Sequence, residues 1–152
     1  MRKVQCYNAD VLAIEKLINE FQESVKHAQL PLKVSYILRK NQKSIAKQAV
    51  LVEERRNEII KKYVSFTESG EPEFETVTDE TGKHEKRIKF TNIEELNSEL
   101  EALMKEGNVI EISELIIDDV MLRAEININN EQANKLWDII YIFNEWKGLE
   151  NS

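Results

Sequence analysis

The sequence predicts an α+β protein, predominantly helical, with a long central helix in an αα-hairpin, a β-hairpin insertion and a C-terminal packing helix. Three observations carry this. No Gly or Pro interrupts the stretch from Leu32 to Ser69. Residues on either side of Asp79-Glu80-Thr81-Gly82-Lys83 alternate at period two. Three further stretches place apolar residues at helical spacing. With 152 residues the chain has the length of one domain, 1–152, and residues 73–90 form an insertion within it. Only four Gly and two Pro leave too few turn residues for a turn-dense all-β architecture.

Residues 2–7 alternate weakly, as a short β-strand does. Over 10–28, Val11, Ile14, Leu17, Ile18, Phe21 and Val25 make a broad apolar stripe. Asn8 or Asp10 is the expected N-cap. The helix should end near Ala28, because the residue before Pro31 is pushed out of the α region. Pro31 then suits the first turn of a second helix, where its missing N–H costs nothing. Leu38, Ile45, Ala49, Val52, Ile59 and Tyr63 form a heptad-like seam with Gln42 and Arg56 as polar interruptions. A helix over 31–64 would be about 50 Å long. The imperfect seam favours packing within the domain, or a weak homodimer, over a free coiled coil.

Residues 65–71 read as a loop. Glu73–Val77 and Glu85–Phe90 then form the hairpin, an acidic strand facing a basic one. Thr91 or Asn92 caps a third helix over 92–106, with Thr91 and Glu94 spaced as a capping box. Its apolar face is Ile93, Leu96, Leu100 and Leu103 or Met104, and Gly107 supplies the stop. Val109–Ile112 reads as a strand, and Glu125–Asn129 as another or as the approach to a cap. Asn130 caps a last helix over 131–146, with Ala133, Leu136, Trp137, Ile140, Phe143 and Asn144 at helical spacing.

The formal net charge of −7 argues against general duplex binding, which relies on neutralising phosphates. The charge is segregated. Residues 31–62 carry nine basic against three acidic residues, a net of +6, and residues 93–119 carry nine acidic against Lys105 alone, a net of −8. Two readings follow: solvated faces that attract each other within one fold, or a basic helix that docks an acidic partner or nucleic acid. No signal peptide opens the sequence, and no apolar run reaches the ~20 residues that span a bilayer. The expected location is the host cytoplasm, with Cys6 reduced.

Catalytic chemistry finds little support. His27 and His84 lack companions at metal-ligand spacing, so no metal and no cofactor is expected. Cys6 stands alone and reads as an inert thiol. Asp118 and Asp119 with Glu111 and Glu114 are the best carboxylate cluster, yet adjacent Asp residues on one segment point different ways. The four glycines fit no phosphate-binding loop, and no G-x-S-x-G elbow is present. Trp137, Tyr141 and Phe143 read as core aromatics, and Trp146 lies at the edge of their stripe, open to solvent. The chain is therefore expected not to be an enzyme.

The segment from Leu30 to Asn41, LPLKVSYILRKN, followed by Ile45 and Glu53-Glu54-Arg55-Arg56, resembles a family of small phage and prophage proteins of Gram-positive bacteria, classed as a domain of unknown function. Lys89-Phe90, the helix of the E-L-N-x-E-L type at Glu95–Leu103 and the V-x-I stretch at Val109–Ile112 follow the same pattern, over roughly residues 10–145. The hairpin insertion is longer here and the C-terminal helix differs. The resemblance implies a phage origin and a cytoplasmic, non-enzymatic role, with no active site to transfer. The expected function is to bind a protein partner, a phage assembly component or a host factor it inhibits, such as a host defence system. Lys40, Lys43, Lys47, Arg55 and Trp146 are the candidate partner-binding residues. The alternative is a nucleic-acid-associated accessory protein using the basic face of residues 33–62. A Mg²⁺-dependent nuclease on Asp118 and Asp119 is a third.

Overall fold

The computed structural model describes residues 2–26, 30–114 and 128–146. Its described elements run β1 (Arg2–Tyr7), α1 (Asn8–Ser24), α2 (Leu32–Tyr63), β2 (Phe74–Thr78), β3 (His84–Ile88), α3 (Ile93–Met104), β4 (Gly107–Ile112) and α4 (Asn130–Glu145). They give an α+β fold with two small antiparallel sheets, β1 with β4 and β2 with β3. The chain divides into two compact units. One is Met1–Val52 with Met104–Ser152, and the other is Glu53–Leu103.

The first unit holds the main core. Val4, Cys6, Ile110 and Ile112 lie on one face of the β1–β4 ladder, and Val11, Ile14, Ile18 and Phe21 of α1 pack into the same cluster. Val34, Leu38, Ile45 and Ala49 of α2, Leu136, Ile139, Ile140 and Phe143 of α4, and Trp146 at the C-cap of α4 complete it. The period of two in the strands and of 3.6 in the helices each turn one apolar face inward. α4 carries a capping box: Asn129 Oδ1 accepts from Gln132 N–H and Gln132 Oε1 accepts from Asn129 N–H, both at 2.9 Å. The cap is thus Asn129 rather than Asn130.

α1 also starts earlier than expected. Tyr7 is its N-cap, Asn8 is already helical, and the Asp10 carboxylate accepts from Tyr7 N–H at 3.1 Å. Asn8 N–H meanwhile donates to the Glu106 carbonyl, which ties the strand-to-helix corner to the other strand. α1 stops at Ser24, with Val25 as C-cap, short of Ala28, which lies outside the described residues with His27. α2 begins at Leu32, and the Pro31 carbonyl accepts its first helical bond from Ser35.

The buried stripe of α2 in this unit is Val34, Leu38, Asn41, Ile45, Ala49 and Val52. It passes through Asn41, not Gln42, because Asn41 finds backbone partners. Its Oδ1 accepts from Ser113 N–H at 2.7 Å and its Nδ2 donates to the Ser113 carbonyl at 2.9 Å. A buried amide satisfied on both sides sits in an apolar seam at little cost.

The second unit is built differently. β2 and β3 pair with Glu75 opposite Arg87 and Phe74 opposite Ile88, and nearly all of their residues are exposed. Glu73 reaches Lys89 at 3.8 Å, whereas Arg87 pairs with Glu85 on its own strand at 3.3 Å. The turn is held by Asp79, whose Oδ1 accepts from Thr81 N–H, Thr81 Oγ1 and Lys83 N–H. Gly82 takes φ +83°, a left-handed conformation that glycine adopts without a Cβ penalty. The expected loop over 65–71 belongs partly to the ladder. Ser65 N–H donates to the Lys89 carbonyl and Glu73 N–H to the Ser65 carbonyl, with bridges at Val64–Phe90 and Phe66–Pro72.

α3 is capped by Asn92, whose Oδ1 accepts from Glu95 N–H at 3.1 Å. Thr91 is instead turned to α2, its N–H and Oγ1 both donating to the Tyr63 carbonyl, so the Thr91–Glu94 box does not form. Ile93, expected on the apolar face, is exposed, while Leu96 and Leu103 are buried. Gly107 is no helix stop. It is the first residue of β4, opposite Tyr7.

Candidate partner-binding face

Residues 32–52 contain five basic residues, Lys33, Arg39, Lys40, Lys43 and Lys47, and no acidic one. With Val34, Leu38, Asn41, Ile45, Ala49 and Val52 turned inward, helical geometry brings residues 32, 36, 39, 40, 43, 47 and 50 to the other side. That side is exposed at Lys43 and Lys47 and half-buried at Lys40. No ion pair is formed by any of these five basic groups among the described residues. Lys40 Nζ lies 5.9 Å from the centre of the Tyr36 ring, a cation–π distance.

Large apolar side chains share the surface. Leu32 is 85% exposed, Tyr36 64%, Val50 55% and Leu51 48%. Scattered exposed apolar residues are ordinary, but four interleaved with unpaired cations along five turns of one helix make a mixed face of the kind that interfaces use. The sequence reading missed all four. Their signal was present, since each is an apolar residue off the seam that the others define.

Beside this face runs a groove of about 270 Å³. Ser44, Lys47, Gln48 and Leu51 line it from α2, and Val109, Ile110 and Glu111 from β4. Val109, like Leu51, is exposed.

The other expected site residues stand elsewhere. Arg55 belongs to the second unit, past Val52, and is itself partnered. Trp146 is only 8% exposed and packs edge-on against Phe143, with ring centres 5.8 Å apart, so the expectation of an open indole is corrected. The exposed aromatic of α4 is Tyr141. Asp118 and Asp119 lie outside the described residues, while Glu111 and Glu114 are exposed. His84 Nδ1 shares a hydrogen bond of 2.9 Å with the Thr78 hydroxyl. Among the described residues no three His, Cys, Asp or Glu come together as a metal site, and no helix is long and apolar enough to cross a membrane.

Several groups are shifted from their ordinary values for structural reasons. Burial, and then the Asp10 carboxylate, push the Cys6 thiol up to about 11, which makes it a poor nucleophile near neutrality. In the second unit, burial and a hydrogen bond to Glu99 push Tyr63 up to about 12. Glu99 is held below the usual carboxylate range by Lys62, at 3.0 Å, and by Tyr63. Here the basic and acidic segments do meet, Lys62 with Glu99.

Comparison with family models, with curated proteins and with solved structures finds no match to the chain.

Proposed function

We propose that this chain is a phage-encoded, non-enzymatic protein that binds an acidic protein partner in the host cytoplasm through the outer face of α2 over residues 32–51. The partner is a phage assembly component or a host factor that the protein inhibits. The phage origin rests on the resemblance of the Leu30–Asn41 segment. The observation that carries the docking role is the surplus of cations on that face, interleaved with Leu32, Tyr36, Val50 and Leu51. An acidic surface with apolar patches would be attracted by the first and desolvate the second. Complementary charge acts chiefly on association rate and specificity.

The test compares the tagged protein with its Lys43→Glu/Lys47→Glu variant in pull-downs from infected host cells, read by mass spectrometry. A partner retained by the wild type and lost with the variant, at unchanged melting temperature, is the expected result. A partner held equally by both excludes this face. Retention on DNA that falls steeply with salt, and vanishes in the same variant, would instead assign the face to phosphate.

A further inference from the structure

β4 has a second edge, and its direction can be worked out. In an antiparallel ladder the backbone N–H and C=O of alternate residues point to the partner strand and those of the residues between point away. The Glu106 carbonyl accepts from Asn8, on the β1 side. Residues of the same parity, Asn108, Ile110 and Ile112, therefore bond to β1. Ser113 is of the other parity, and both its backbone groups turn away from β1 to meet Asn41 on α2. Two independent contacts thus fix the same phase. Val109 and Glu111 direct their N–H and C=O groups outward, into the groove that Ser44, Lys47, Gln48 and Leu51 wall on the other side. The sheet has two strands among the described residues, so this edge has no strand partner there.

We infer that this groove accepts an extended segment of the partner protein, added as a third strand antiparallel or parallel to β4. Asn41 already performs that pairing at Ser113, one position beyond the open edge, with a side-chain amide in place of a backbone. An open strand edge selects an extended backbone over a helix, because only the former matches its donor and acceptor spacing. The walls then select side chains. Ile110 and Ile112 mark the core face of the sheet, the face on which α2 packs. Side chains of the added strand that point to that face meet Lys47 and Leu51. An acidic and an apolar residue two positions apart satisfy both. The inference rests on the docking role of α2 and specifies what docks beside it.

The experiment uses the full chain and a fluorescent short peptide that repeats Glu-Thr-Val-Thr, so that Glu and Val alternate along one strand face, with binding read by anisotropy. Val109→Pro deletes the outward N–H and leaves the β1 ladder bonds in place, since proline is tolerated where a strand N–H faces away from its partner. The expected result is a loss of about tenfold or more in affinity for Val109→Pro at an unchanged circular-dichroism spectrum. Of two peptides N-methylated at alternate amides, one at the Glu and Val positions and one at the Thr positions, the wild type should fail to bind the one whose methyl groups face β4, a readout that stands even if Val109→Pro does not fold. Equal binding by Val109→Pro, or of both N-methylated peptides, overturns strand addition. If Lys47→Glu then still abolishes binding, the docking face survives and the strand edge does not. No binding of the peptide by the wild type also overturns the inference. So does a dimer that Val109→Pro dissociates, which would give the edge to a second copy. Slow exchange of the Val109 and Glu111 amides in the free protein would show the edge already occupied.

Discussion

The two stretches of α2 are one helix with opposite economies of side chain. From Leu32 to Val52 every third or fourth residue is fully buried and all the charge is of one sign, without an ion pair among the described residues. From Glu53 to Tyr63 only Tyr63 is buried, acidic and basic residues are mixed, and ion pairs form, Arg56 with Glu53 and Lys62 with Glu99. The difference separates two jobs that one helix can do. Where an apolar stripe holds the helix, the opposite side is at liberty to accumulate a single sign of charge. Where the stripe lapses, paired charges and capping contacts take over.

The sharpest test of that contrast is truncation. Ile45→Ala, at a fully buried site, should cost about 2–5 kcal/mol, whereas Ile59→Ala, half-buried, should cost roughly 1–2 kcal/mol. Urea denaturation reads both, and equal losses would erase the distinction. Next comes Asn41→Leu. It orphans the Ser113 N–H and C=O, which are only half-buried, so the loss should lie near the lower end of the roughly 1–3 kcal/mol that an unpaired buried group costs. Gln42→Ala, whose amide bonds Asn19 at the surface, should change little.

The heptad-like seam was legible because Ile45, Ala49 and Val52 follow one another at four and three residues, with Leu38 seven residues before Ile45. Asn41 was not, because its burial depends on a backbone segment 72 residues further along, and no local pattern records that. The same limit explains the cap errors. Asn8 is drawn into α1, and its N–H into a bond with Glu106, by a strand pairing that brings together distant parts of the chain. The site was half readable. The run of cations is a property of sequence alone, but which lysines are exposed and which are paired depends on what the fold lays beside them. Trp146 shows the reverse error. Its place at the end of the apolar stripe suggested exposure, yet Phe143 and the core cover it.

A smaller effect separates the stretches by pH. The Tyr63 phenol titrates at about 12 instead of its ordinary 10, so the stabilisation that comes from keeping it neutral is complete below pH 10 and is lost as pH rises through about 12. Ultraviolet titration should resolve this late phenol, and Glu99→Gln should move it partway back. The smallest change belongs to the face itself. Lys43→Glu/Lys47→Glu should shift stability by under about 1 kcal/mol per residue, because both groups are exposed. A large fall in melting temperature, relieved by salt, would mean that the cations neutralise acidic residues within the fold after all.

The β1–β4 ladder also orders events in time. Arg2 lies opposite Ile112 and Tyr7 opposite Gly107, so β1 waits for the much later β4 before it can pair. Glu53–Leu103, by contrast, is contiguous and complete before β4 leaves the ribosome. The main core is thus a structure of high contact order interrupted in sequence by a segment of low contact order, and closing it sets the pace of folding. During synthesis the thiol of Cys6 is a clock for that closure. Nascent chains stalled ahead of Gly107 should leave it open to alkylation, and release of the finished chain should hide it. A thiol already hidden in the stalled chain would show that β1 docks without its partner.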